Sequence, residues 1–185
     1  MRGHVRACQH AIGAPARIPQ PVIAAVHGVA FGLALDALGA VDVRWAAADA
    51  SFSIKEVDVG MAADLGTLAR VPKLVGNVSL LHELALSGRP FGADEALRLG
   101  LVSRVVPGSR ADVVRAAIAF AELVASKSPV AVVGVKRFIT HALDHSCVSY
   151  PFLVMVFDRY RCAIEWKRHL SIRRRGRRSL FRVRY

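Results

Sequence analysis

The sequence predicts an α/β half followed by a helical half, and three observations carry that expectation. Short apolar runs rich in Val and Ile, each ended by Gly or a polar cluster, occupy residues 21–28, 41–48 and 50–57. Helical spacing of apolar residues lies between the first and second of these runs and dominates from residue 65 onward. Hydrophobic residues make up 54% and charged residues 22% of 185, the balance of a chain that buries a core.

Residues 21–28, PVIAAVHG, read as a buried strand that stops at Gly28. Residues 29–40 have helical spacing and open on small residues, and 41–48 and 50–57 read as two further strands. Strand, helix and strand in succession imply a parallel unit with a right-handed crossover. Residues 65–76 and 77–88 follow as helices, with Asn77 as an N-cap and Gly76 and Gly88 as C-terminal stops. A short helix over 92–100 is closed by Gly100, and a strand over 101–106 is ended by Pro107 and Gly108. Helices are predicted over 111–127 and 129–143, the second entered through Ser128 and Pro129.

The formal net charge of +12 is unevenly spread. Residues 158–185 hold eleven Lys or Arg against Asp158 and Glu165, so the tail alone carries +9. A basic tail without a fold motif argues against nucleic acid as the main partner. Cys8, Cys147 and Cys162 form no CxxC pair and have no metal-like spacing, which fits a reducing compartment. No apolar run reaches the roughly 18 residues of a membrane span. Residues 1–20 carry Arg2, Arg6 and Arg17 and no acid, a faint transit-like bias, but they contain no Ser.

The chemistry-bearing stretch is SFSIKEVDVGMAADLGT, residues 51–67. Asp58, just before Val59-Gly60, reads as a turn ligand. Glu56 and Asp64 flank Gly60, and a Gly-centred reversal can turn two groups eight apart toward each other. Met61, Ala62, Ala63 and Leu65 give them apolar walls. Desolvation and like charge raise carboxylate pKa values, so one acid can hold a proton while the other is ionised. That is the arrangement needed to remove a proton at one carbon and return one at another. Asp36 lies about one turn into the helix that starts near Gly32, where it either partners the helix dipole or tunes a nearby carboxylate. His27, between Val26 and Gly28, reads as a buried structural histidine. His141 and His145 share a helical face but lack a third ligand, so no metal is expected.

Three segments resemble the crotonase (enoyl-CoA hydratase/isomerase) superfamily: residues 19–76, residues 88–106 with GRPFGADEALRLGLVSRVV, and residues 125–136 with ASKSPVAVVGVK. The resemblance covers about residues 15 to 145 and implies a ββα spiral core followed by C-terminal helices. Asp36, Glu56 and Asp64 together are similar to the dienoyl-CoA isomerase branch. Hydratases of the family carry Glu at the positions of Asp36 and Glu56 and usually Gly at Asp64. Simple Δ3-Δ2 enoyl isomerases rely mainly on the Glu56 position.

The resemblance implies isomerisation of 3,5-dienoyl-CoA to 2,4-dienoyl-CoA in fatty-acid β-oxidation. Glu56 and Asp64 would shuttle protons between C2 and C6, with Asp36 as the third polar group. The backbone N–H of Leu33, in FGLA, would hold the thioester oxyanion, although the family usually has a small residue there. Gly32, Ala34 and Met61 would line the substrate site. No cofactor or metal is implied, since coenzyme A is part of the substrate. A fatty acyl-CoA partner, a homo-oligomer (trimer or hexamer) and a mitochondrial or peroxisomal location are implied as well. The last residues, Val183-Arg184-Tyr185, do not match a peroxisomal Ser-Lys-Leu signal.

Two departures from the family bear on activity. About twenty residues precede PVIAAVHG where the family has a further strand-rich half with the second oxyanion donor. Residues 1–20 are therefore expected to be a remnant helix and linker, and 21–145 a partial domain. Residues 146–185 depart from the family and form a divergent basic tail. The alternatives to a dienoyl-CoA isomerase are a hydratase or isomerase of another crotonase branch, or a truncated, catalytically inactive fragment.

Overall fold

The computed structural model describes residues 2–145. The basic tail, Cys147 and Cys162 lie outside the described residues. Two compact units divide between Ser126 and Lys127.

The first unit opens with helices α1 (Arg2–Ile12) and α2 (Ala14–Arg17). The chain then passes back and forth between two small sheets. Strand β1 (Ile23–Val26) enters the first sheet and β2 (Val29–Phe31) the second, with His27 and Gly28 as the step between them. After helix α3 (Leu33–Leu38), β3 (Val43–Ala47) returns to the first sheet and β4 (Ser51–Ser53) to the second. β1 pairs parallel with β3 from Ile23 opposite Val43 to Val26 opposite Ala46. β2 pairs parallel with β4, Phe31 opposite Ser53. This two-sheet alternation is the ββα spiral that the family resemblance implies.

A single-turn 3₁₀ segment, Lys55–Val59, follows β4. Then come α4 (Thr67–Arg70), α5 (Val78–Ser87), β5 (Phe91–Gly92), α6 (Ala93–Leu99), β6 (Arg104–Val106) and α7 (Arg110–Ala125). β5 pairs antiparallel with β4, and β6 pairs parallel with β3. The second unit holds α8 (Pro129–Ala142) among its described residues.

Several boundaries differ from expectation for local reasons. Residues 29–40 are not one helix: Val29 to Phe31 pair with β4, and helix begins only past Gly32. The strand predicted over 50–57 stops at Ser53, because the backbone coils into the 3₁₀ turn that Gly60 closes in the left-handed conformation. The helix predicted over 65–76 is interrupted at Val71-Pro72, where proline lacks the N–H to continue it. The last predicted strand forms only over Arg104–Val106. The Asn77 cap forms as expected, its Oδ1 accepting from Leu80 N at 3.0 Å. Gly88 and Gly100 end α5 and α6 in the left-handed conformation. His27 is exposed rather than buried, since it occupies the outer step between the two sheets.

One hydrophobic cluster joins the second sheet to α3, α5 and α6 through Phe52, Phe91, Leu35, Leu84 and Leu99. The Phe52 and Phe91 rings stack 5.5 Å apart across the β4–β5 pair. A second cluster packs α7 on the first sheet, with Trp45 against Phe120 at 5.0 Å. Arg44 crosses between layers: it donates to Leu101 O at 2.8 Å and to Val41 O at 2.6 Å. Burial pushes its pKa down, partly offset by Asp42. These layers hold β2, α3, β4 and the turn after it in one place, which is where the acids lie.

Candidate active site

Gly32 is the pivot of the site. Its φ of 53° and ψ of −118° suit glycine and strain any L side chain. Its N–H donates to Ser53 O at 3.0 Å, which ties the turn to β4. Ser53 is itself fixed, its Oγ donating to Gly88 O at 2.7 Å in a fully buried position. Leu33 therefore starts α3 with an N–H that has no intrahelical acceptor. The Leu33 side chain is 57% exposed, and Ala34 turns partly toward the core.

Glu56 approaches this pivot from the 3₁₀ turn. A Cβ added to Gly32 would stand 3.3 Å from Glu56 Oε1, so the carboxylate lies against the Gly32 backbone. The other oxygen, Oε2, is buried and has no hydrogen-bond partner among the described residues. Buried carboxylate oxygens are almost always partnered, because an unmatched one forfeits its hydration.

Asp36 has a different setting. It is 2% exposed, and its Oδ1 accepts from Thr67 N at 2.6 Å and Thr67 Oγ1 at 2.8 Å. It thus caps α4 from another element and supplies the acceptor its first turn needs. Asp64 is exposed, in the loop between Gly60 and α4. Gln9 of α1 donates its side-chain amide to Asp64 O at 2.8 Å. Met61, at 61% exposure, donates its N–H to Glu56 O at 3.0 Å and so closes the Gly60 reversal onto Glu56. Asp58 is held in the turn by Lys55 at 2.5 Å.

The structure therefore brings Gly32, Leu33 and Glu56 together directly. It links Asp36 and Asp64 to them through a shared loop whose ends are Met61 and Thr67. Thr67 and Gln9 were not singled out from the sequence. Thr67 follows Gly66 at a helix start, a readable capping signal. Gln9 acts across 55 residues and left no local signal. Among the described residues, no group of three or more His, Cys, Asp or Glu could hold a metal ion. His141 and His145 stack ring on ring at 4.0 Å. No single helix among those residues is long and apolar enough to cross a membrane.

Residues 7–151 match the enoyl-CoA hydratase/isomerase family. The chain is 53% identical over 130 residues to the mitochondrial Delta(3,5)-Delta(2,4)-dienoyl-CoA isomerase of Homo sapiens, covering 70% of this chain and 39% of that protein. It is 42% identical over 146 residues to the peroxisomal enzyme of the same name from Arabidopsis thaliana, covering 79% and 52%. An enoyl-CoA hydratase crystal structure from Bacillus anthracis superposes with a TM-score of 0.74 at 32% identity, covering 91% of this chain and 62% of that one. The chain thus spans roughly two-fifths to half of the length of these curated relatives.

Proposed function

The chain belongs to the enoyl-CoA hydratase/isomerase family, and from that premise we propose that it converts a 3,5-dienoyl-CoA to a 2,4-dienoyl-CoA. The observation that carries this reading is the Glu56 carboxylate, seated against Gly32 with one buried oxygen that has no partner among the described residues. A thioester carbonyl near the start of α3 would find the Leu33 N–H as a donor for its developing negative charge. One carboxylate takes a proton from C2, the electrons move through the two double bonds, and a carboxylic acid returns a proton at C6. The sum is a proton loss and a proton gain, so no redox partner is consumed. Glu56 and Asp64 are the two carriers in this reading, and Asp36 acts from its buried position on Thr67. Gly32, Ala34 and Met61 border the acyl chain and thioester. The relatives named mitochondrial and peroxisomal support an organellar location, and the family resemblance supports assembly into trimers or hexamers.

A second reading has a specific observation behind it. Asp64 is exposed and Asp36 is occupied by Thr67, so of the three acids Glu56 is the one with a buried oxygen that has no partner among the described residues. A one-acid isomerisation of a 3-enoyl-CoA to a 2-enoyl-CoA would need only Glu56. Purified chain assayed with both substrates separates the two. Formation of the carbonyl-conjugated 2,4-dienoyl-CoA from the 3,5-dienoyl-CoA that falls at least tenfold in Asp64→Asn supports the first reading. Turnover of the 3-enoyl-CoA alone, indifferent to Asp64→Asn, supports the second. A folded chain that converts neither substrate refutes both.

A further inference from the structure

The loop that carries Asp64 is fixed at three points. At its start, Met61 N–H donates to Glu56 O at 3.0 Å. At its end, Thr67 N–H donates to Asp36 Oδ1 at 2.6 Å. Both of those acceptors belong to residues already placed in the site. The middle anchor comes from elsewhere: the Gln9 side chain, on α1, donates to the carbonyl oxygen of Asp64 itself at 2.8 Å. Between Met61 and Thr67 the sequence is Ala62, Ala63, Asp64, Leu65 and Gly66. Among these, Asp64 has the side chain capable of strong polar contact, and that side chain is exposed.

From this we infer that Gln9 is a positioning residue, and that α1 sets where the Asp64 carboxylate stands relative to Glu56 by holding the Asp64 peptide. The chemistry suits the task. A primary amide donates to a carbonyl without carrying charge, so it fixes the backbone and adds no ion pair to the neighbouring carboxylate. Its removal leaves both ends of the loop tied, so the effect is confined to the middle, where the acid is. Misplacing one of two proton carriers by about an ångström lowers the rate of a positioned proton transfer far more than it weakens substrate binding.

The inference rests on the reading of Asp64 as a proton carrier only for its kinetic part, and the test keeps the two apart. Gln9→Met keeps the length and helical preference of the side chain and removes the donor. Gln9→Lys keeps a donor of similar reach. Hydrogen–deuterium exchange of residues 61–66 in the full chain is followed alongside exchange in β1 and β3. The reporter in 61–66 is the Met61 N–H, bonded to Glu56 O at 3.0 Å: freeing the Asp64 peptide loosens the loop behind it and predicts about fivefold faster exchange there for Gln9→Met, with β1 and β3 unchanged and Gln9→Lys restored toward the parent. In the isomerase assay, Gln9→Met is expected to lower kcat about tenfold with KM within about twofold. Unchanged exchange in 61–66, or acceleration that is equal throughout the unit, overturns the inference. So does a parent chain that turns over while Gln9→Met matches its kcat. If the parent chain has no turnover, the proposed function fails, and the exchange result alone decides the role of Gln9.

Discussion

The two sides of the candidate site are built in opposite ways. On one side, Gly32 and Glu56 adjoin the second sheet, Gly32 just past β2 and Glu56 in the 3₁₀ turn after β4. Gly32 N–H is bonded to β4, Ser53 is locked to Gly88, and Phe52 lies fully buried between them. On the other side, Asp64 belongs to no sheet and stands in a loop held by Glu56 O, Gln9 and Asp36. The first side derives its geometry from strand register and core packing. The second borrows its geometry, one hydrogen bond at a time, from residues that lie elsewhere in the chain. Glu56 is set by the sheet it follows, and the loop of Asp64 by hydrogen bonds with Glu56, Gln9 and Asp36.

Substitutions can break that contrast, and the largest effect is expected on the sheet side. Phe52→Ala removes a fully buried ring stacked on Phe91 and should cost about 3–5 kcal/mol, read as a lower denaturant midpoint. It should unseat Glu56 together with the whole second sheet. Asp36→Ala strands two buried donors of Thr67 and should cost about 2–3 kcal/mol, with exchange rising first at the start of α4. A loss that instead spreads through β2 and β4 would erase the distinction between the two sides. Gly32→Ala forces an L residue into φ 53° and crowds Glu56 Oε1, at an expected cost of about 1–3 kcal/mol in thermal unfolding.

The smallest effect lies outside both sides and serves as a control. Arg89 grips Glu95 at 2.8 and 3.0 Å and also bonds Glu83, joining α5 to α6. Those bonds hold the Glu95 carboxyl below its usual range. A lowered folded pKa gives stability that is present above the unfolded value near 4.5 and is lost as pH falls through the folded one. A modest drop in Tm below about pH 4 should therefore appear in the parent chain and shrink in Glu95→Gln, with neither side of the site disturbed.

How far the sequence could be read follows the same division. Strands β1 and β3, the Asn77 cap, and helices α5, α7 and α8 announce themselves through local patterns of apolar spacing, caps and glycine stops. Residues 29–31 did not, because three residues with small neighbours become a strand only when β4 lies beside them. His27 was misread for a related reason: its apolar flanks belong to two different sheets, so the residue between them faces outward. Glu56 was legible from its place beside a Gly-centred reversal. The buried bond from Asp36 to Thr67 was not, since it joins positions 31 apart. Gln9 and Asp64 meet only through the tertiary fold.

The account turns on Glu56 being the acid that moves a proton while contributing little to the fold. The most direct test is turnover of 3,5-dienoyl-CoA in deuterated water by the parent chain and by Glu56→Gln, with Tm measured on both. In the parent, 2,4-dienoyl-CoA carrying deuterium at C6 is expected. A loss of about 10²–10⁴-fold is expected in Glu56→Gln, with Tm held, because the substitution keeps the side chain's size and Oε2 has no partner among the described residues. Equal turnover by the two proteins, or a Glu56→Gln variant that loses activity only by unfolding, would contradict it.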